Sequence, residues 1–124
     1  MLTLRESLLN IKTMEKLIPA GQLQDMTVNM GPIGKYHLAD IDWRVEYFAS
    51  LGSSIIKKAE ATKVDENTYI VTVDTGATGT GELRGILYPL VPDERGYKEL
   101  LLPFSTGEEV VSKYDERLYG VRDN

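Results

Sequence analysis

The sequence predicts a mainly β chain: an Ig-like antiparallel β-sandwich, or a small barrel, carrying an N-terminal helix-like arm. Three observations point there. In Ile41-Asp-Trp43-Arg-Val45-Glu-Tyr47 the apolar residues alternate with charged ones, the period of a strand with one face buried. Thr68-Tyr-Ile-Val-Thr-Val73 is rich in the β-branched and aromatic residues that pack well on a pleated surface. Short runs of this kind recur at roughly ten-residue spacing between Gly, Pro, Asp and Asn turns, as sandwiches and small barrels require.

Read from the start, residues 3 to 18 have helical spacing. Leu4, Leu8, Ile11 and Ile18 fall on one stripe, while Arg5, Glu6, Lys12 and Glu15 fall elsewhere. Thr3 followed by Glu6 has the capping-box pattern, and Pro19-Ala-Gly21 supplies stop signals. A lone helix of this length is marginal in water, so its apolar stripe must dock on the body of the chain or on a neighbouring subunit; both remain open. Gln22 to Met30 is a possible short strand, and Gly31-Pro32 with Gly34 marks a turn or extended connector. Residues 1–40 are thus expected as an arm, 41–112 as the β-sandwich domain and 113–124 as a polar C-terminal tail ordered only by contact.

Within the domain, Ser54 to Ile56 and Ala61 to Val64 are expected to be strands, and Asp65-Glu-Asn67 a polar turn. Thr75 to Gly81 reads as a flexible connection. Glu82 to Val91 resumes strand character, with Pro89 and Pro92 arguing for an edge or a bend. Tyr97 to Phe104 and Glu109 to Val111 complete the set.

Composition narrows the function. The chain has 124 residues, enough for one core but not two ordinary domains. With 19 acidic and 14 basic residues, a formal net charge of −5 and no basic cluster, a nucleic-acid footprint is not expected. No apolar run approaches a membrane span, and no secretory leader pattern opens the chain. The absence of cysteine removes disulfides and thiolate chemistry, and fits assembly in a reducing cytoplasm.

The sharpest catalytic candidate is Asp74-Thr75-Gly76-Ala77, which follows an apolar strand as the catalytic Asp of retroviral-type aspartic proteases does. Two such carboxylates brought together in a dimer would share one proton. The competing reading has Asp74 and Thr75 closing a strand and opening a loop, the ordinary use of these residues. That reading is preferred, because the later apolar-apolar-Gly element is matched only by Leu118-Tyr119-Gly120 and no flap hairpin is evident.

Gly76, Gly79 and Gly81 are not followed by Gly-Lys-Ser/Thr, so they do not form a phosphate loop. His37 is the only histidine and has no ligand spacing around it; a satisfied or exposed histidine is expected. The pairs Asp40 and Asp42, Asp93 and Glu94, and Glu108 and Glu109 lack the grammar of a calcium loop. No cofactor, no metal and no enzymatic activity are expected. Trp43 is in phase with Ile41 and Val45 and is expected in the core rather than stacked on a sugar. Leu4, Leu8, Ile11 and Ile18 of the arm, with Tyr88, Tyr97, Tyr114 and Tyr119, are the candidate interface residues, since tyrosine is favoured where proteins meet.

The stretch Ile41 to Val111 resembles a module found in structural proteins of tailed phages and prophages, especially those of gut Bacteroides. Asp42-Trp-Arg-Val-Glu-Tyr-Phe48 opens it. Val73-Asp74-Thr75, Gly79-Thr-Gly81-Glu-Leu83 and Val91-Pro92-Asp93 follow in the same order, over somewhat more than half of the chain. The resemblance implies a non-enzymatic virion subunit present in many copies, as capsid decoration, head-fibre anchor, or neck, tail or baseplate component. Its partners would be other virion structural proteins and further copies of itself, without nucleic acid or membrane, assembled in the host cytoplasm. Fibre-bearing relatives continue into long C-terminal regions; only a short tail follows here, so receptor binding is not among the expectations. The alternatives are a stand-alone carbohydrate- or ligand-binding sandwich and, more remotely, the Asp-Thr-Gly protease.

Overall fold

The computed structural model describes residues 16–119. In chain order the strands are β1 (Lys16–Pro19), β2 (Leu23–Asn29), β3 (Asp42–Phe48), β4 (Ser53–Lys57), β5 (Thr62–Asp65) and β6 (Thr68–Asp74). A one-turn helix, α1 (Thr75–Thr78), leads into β7 (Gly81–Asp93), β8 (Gly96–Glu99) and β9 (Leu102–Val111). The larger sheet has the order β1-β9-β7-β3-β4, with β8 pairing the far half of β7; the smaller has the order β2-β6-β5. All pairs are antiparallel except β1 with β9, where Lys16 stands beside Glu108 and Pro19 beside Val111. The mainly β fold expected from the sequence is the fold observed.

The alternation in β3 does what its period requires. Trp43, Val45 and Tyr47 are buried between the sheets, and Asp42 is exposed on the other face. They meet Val71 and Val73 of β6, Leu83 and Leu87 of β7, Val110 of β9 and Val28 of β2 in one cluster. Trp43 packs edge-on against Tyr69, ring centroids 5.1 Å apart, as expected of a core tryptophan. Fully burying a side chain such as Leu87 contributes roughly 1.5–3 kcal/mol, so this cluster is the main source of stability.

Four expectations need correction. The helix expected over residues 3–18 does not reach its end: Lys16 to Pro19 are extended, and Ile18 is a core residue rather than a free interface residue. The edge of β9 offers these residues backbone partners and a place in the core, which outweighs their helical spacing. Residues 3–15, with Leu4, Leu8 and Ile11, lie outside the described residues.

The division at residue 40 also moves, because β1, β2 and the fully buried Leu38 belong to the sheets and core. Thr75 to Gly81, expected to be flexible, contains α1, whose Thr75 and Thr78 are completely buried. Finally, Pro89 lies not at an edge but in β7 opposite Trp43. Its carbonyl accepts from Leu100 N–H at 2.9 Å. A strand residue's N and C=O face the same neighbour, so the donor that proline lacks falls opposite the break between β8 and β9.

Beyond Val111 the chain forms a turn at Glu116–Tyr119, held by Arg117 on Asp115 and Glu109 and by the Tyr119 hydroxyl on the Lys113 carbonyl. The tail is therefore ordered by contact as far as Tyr119.

Candidate functional site at the open seam and one end of the sandwich

The two sheets meet differently along their two sides. On one side β4 lies against β6, and Ser54 Oγ accepts from the Asp74 N–H at 3.0 Å across the junction. On the other side the outer edge of β2 and the β1–β9 edge of the larger sheet stand apart. Between them is a groove of about 530 Å³, lined by Gln24 to Met30 of β2 and its end, Tyr47, Phe104 to Thr106, Lys16 and Glu108. Its walls mix thioether and aromatic surface (Met26, Met30, Phe104) with carboxylates (Asp25, Glu108).

A bulge in β9 shapes this groove. Ser105 pairs with Arg84, but the next paired residue, Glu108, stands opposite Leu83, so extra residues of β9 are looped out. Gly107 takes φ 74° there, a left-handed value that suits glycine, and Thr106 Oγ donates to the Leu83 carbonyl at 2.6 Å. The bulge brings Glu108 to the groove, where its Oε1 is enclosed and has no hydrogen-bond partner among the described residues. Burial pushes the Glu108 carboxyl above the ordinary glutamate range, partly offset by the charge of Lys16. The Tyr47 phenol is likewise raised, first by burial and then by Glu108. Gly85 is the seat of Phe104: a Cβ at that position would run into the ring. Phe104 also meets Tyr47 edge-on at 5.8 Å.

The second feature is the end of the sandwich that carries α1. Thr75 holds it together: its hydroxyl accepts from Gln22 N–H at 3.0 Å and lies 2.9 Å from the carbonyls of Pro19 and Gln22. The Thr78 carbonyl accepts from the amides of Ala49, Ser50 and Leu51, and Ala20 N–H donates to the Val111 carbonyl. Four segments thus converge. At this end Leu23 is 70% exposed, Leu51 80%, Tyr114 80% and Tyr119 71%. Isolated exposed apolar residues are ordinary; these four come from four segments at one end, which makes that end the candidate interaction surface.

Tyr114 and Tyr119, expected at an interface, are on this end. Tyr97 is exposed on β8, away from it. Tyr88 is half-buried and already engaged: the Arg44 guanidinium lies 4.1 Å from its ring centre and pairs with Glu99, while the Tyr88 hydroxyl donates to Glu46 at 3.2 Å. Leu23, Leu51 and most of the groove residues were not singled out by the sequence; Glu108 was weighed only as a carboxylate beside Glu109, and Tyr47 only as a strand residue. The available signal for the first two was a large apolar residue within turn-type surroundings, Gly21-Gln-Leu23 and Ser50-Leu51-Gly52.

Asp74 caps α1: its Oδ1 accepts from Gly76 N–H at 2.9 Å, the turn role that competes with the protease reading. His37 Nδ1 is 3.1 Å from Asn67 Oδ1, a satisfied histidine. No group of three or more His, Cys, Asp or Glu side chains converges among the described residues. No helix among them is long and apolar enough to cross a membrane.

No family model matches the chain, and no curated protein matches it. Among solved structures, a chain provisionally named a glycoside hydrolase, from Bacteroides vulgatus, is similar over 82% of this chain at 11% identity with a TM-score of 0.43. This chain spans 17% of that one. A likeness so distant carries no argument about activity.

Proposed function

We propose that this chain is a non-enzymatic structural subunit of a tailed-phage virion, a small sandwich that joins other virion proteins and further copies of itself. The observation that carries the reading is the α1 end, where Leu23, Leu51, Tyr114 and Tyr119 are all largely exposed. Burying such side chains against a partner returns roughly 1.5–3 kcal/mol for each one fully covered, and aromatic anchors dominate protein contacts. The ordered phrases between Asp42 and Asp93 that resemble phage structural modules support the virion setting.

The test is a Leu51→Asp, Tyr114→Asp double variant of the full chain. Both side chains are exposed, so its unfolding midpoint should stay close to that of the unmodified chain. Co-expressed with its genomic neighbours, the unmodified chain should enter particles and the variant should not. Equal incorporation of both would remove the α1 end from the reading; exclusion of the unmodified chain itself from every particle would remove the virion role.

A further inference from the structure

Most strand edges of this sandwich are blunted. β5 and β8 are four residues long and carry Lys63 with Asp65 and Lys98 with Glu99, and β5 breaks register between Lys63 and Asp65. The free stretch of β9 from Leu102 holds Pro103 and ends in the bulge at Thr106 and Gly107. β1 is short and ends in Pro19, while β4 is closed against β6. Short strands, charges, prolines and bulges are the devices that keep an edge from pairing with another chain. The outer edge of β2 differs. Its seven residues, Leu23 to Asn29, pair with β6 without a register break, contain no proline and carry one charge, Asp25.

The pairing with β6 decides which backbone groups this edge offers. Met30 N–H donates to the Asn67 carbonyl and the Gln22 carbonyl accepts from Thr75 N–H, so the even-numbered residues of β2 face β6. A strand residue turns its N–H and C=O to one neighbour, and the next residue turns its own to the other. Leu23, Asp25, Thr27 and Asn29 therefore direct theirs outward. Among the described residues these groups meet only the Gln24 side-chain amide, 3.4 Å from the Asp25 carbonyl. All four side chains are exposed.

We propose that β2 pairs antiparallel with β2 of a second copy, about a two-fold axis at Met26, joining the small sheets of two chains into one. Such an interface is self-complementary. Leu23 then stands opposite the partner's Asn29 and Asp25 opposite the partner's Thr27, so every outward residue finds a strand residue to exchange hydrogen bonds with, and no charge meets its like. Moving the axis to Asp25 leaves Asn29 without an opposite strand residue and sets the two Asp25 carboxylates face to face, which is destabilising. Moving it to Thr27 leaves Leu23 without one. On the inner face Met26, which lines the groove, meets the partner's Met26, so apolar surface is covered along with the backbone. The axis is perpendicular to the joined sheet, and the two grooves lie on one face of it, either side of the axis. This pairing rests neither on the virion reading nor on Leu51, Tyr114 and Tyr119.

The test uses the full chain, which contains no cysteine. Sedimentation equilibrium should give a concentration-dependent dimer. Opposite residues of an antiparallel pair bring their Cβ atoms to about 5 Å, so Met26→Cys should crosslink between chains on mild oxidation. Its rate should exceed by roughly tenfold or more that of a Lys63→Cys control on the far edge of the small sheet. Thr27→Asp places a second carboxylate opposite the partner's Asp25 at both ends of the pair, and should weaken self-association by roughly tenfold with little change in unfolding midpoint. Adding Asp25→Lys to that variant makes both pairs opposite in charge and should restore the dimer.

A chain that stays monomeric at every concentration would overturn the proposal. So would a dimer indifferent to Thr27→Asp, a double variant no tighter than Thr27→Asp alone, or Met26→Cys crosslinking no faster than the control, since each would place self-association on another face.

Discussion

The two sides of the sandwich are built from the same kind of strand and end differently. Where β4 faces β6, core side chains continue to the junction and a hydroxyl of one sheet accepts an amide of the other, Ser54 to Asp74. Where β2 faces β9, the bulge at Thr106 and Gly107 draws Glu108 to the gap, and the groove is left with polar walls and an enclosed carboxylate oxygen. The closed side is finished by its own residues. The open side is not finished by the described residues: the outer edge of β2, the outer edge of β9 from Leu102 to Gly107 and the Glu108 Oε1 have no partner among them. A seam therefore differs from a core in what it asks for: backbone partners as well as apolar volume.

Truncating the shared core should do the most damage and sets the scale. Leu87→Ala, at a completely buried position, is expected to cost about 2–5 kcal/mol in urea unfolding. A cost under half a kcal/mol would mean that the two sheets are not packed as described.

At the α1 end, Thr75→Val keeps the shape but removes the hydroxyl that serves the Gln22 amide and the Pro19 and Gln22 carbonyls; the Gln22 carbonyl keeps the Thr75 N–H, while the part-buried Gln22 amide loses its acceptor. About 1–3 kcal/mol should be lost. A neutral outcome would show that this end is hydrated and that the contrast with the open side is weaker than drawn.

Across the open seam, Met26→Ala should cost less than about 1 kcal/mol if the groove is empty, because Met26 is half-buried. A cost above about 2 kcal/mol in urea unfolding would show that Met26 is covered and the groove filled.

The smallest effect is the pH response of Glu108. Its carboxyl titrates above the ordinary glutamate value in the folded chain, so the folded state holds the proton more tightly than the unfolded one. Stability from this group is therefore greatest at low pH and falls as pH rises from the ordinary glutamate range to the raised value. Glu108→Gln should flatten that part of the profile in a comparison of unfolding midpoints across mildly acidic pH. An unchanged slope would place the titration elsewhere.

Much of the fold was legible because strand alternation is a local signal. Trp43, Val45 and Tyr47 revealed their face by period alone, and β6 by its composition. The failures are non-local. Ile18 has helical spacing with Leu4, Leu8 and Ile11, and only the edge of a strand formed by residues 102–111 makes it extended. Pro89 reads as an edge signal because no local pattern discloses that β8 and β9 break opposite its missing N–H. Thr75 looks like any turn threonine until Pro19 and Gln22 are brought beside it. The groove was least legible of all, since it is made by two edges that do not meet, and a sequence records pairing tendencies rather than gaps.

The parallel pair of β1 and β9 also sets a timetable. Lys16 emerges from the ribosome roughly ninety residues before Glu108, its partner in the sheet. At about 5–20 residues per second the first strand waits on the order of 5–20 s before it has anything to pair with. During synthesis Ile18 is therefore a solvent-exposed apolar residue, and the larger sheet closes only when the last strand has left the exit tunnel. Emergence of β9, rather than formation of the early β3–β4 hairpin, is the event that commits the chain to this fold.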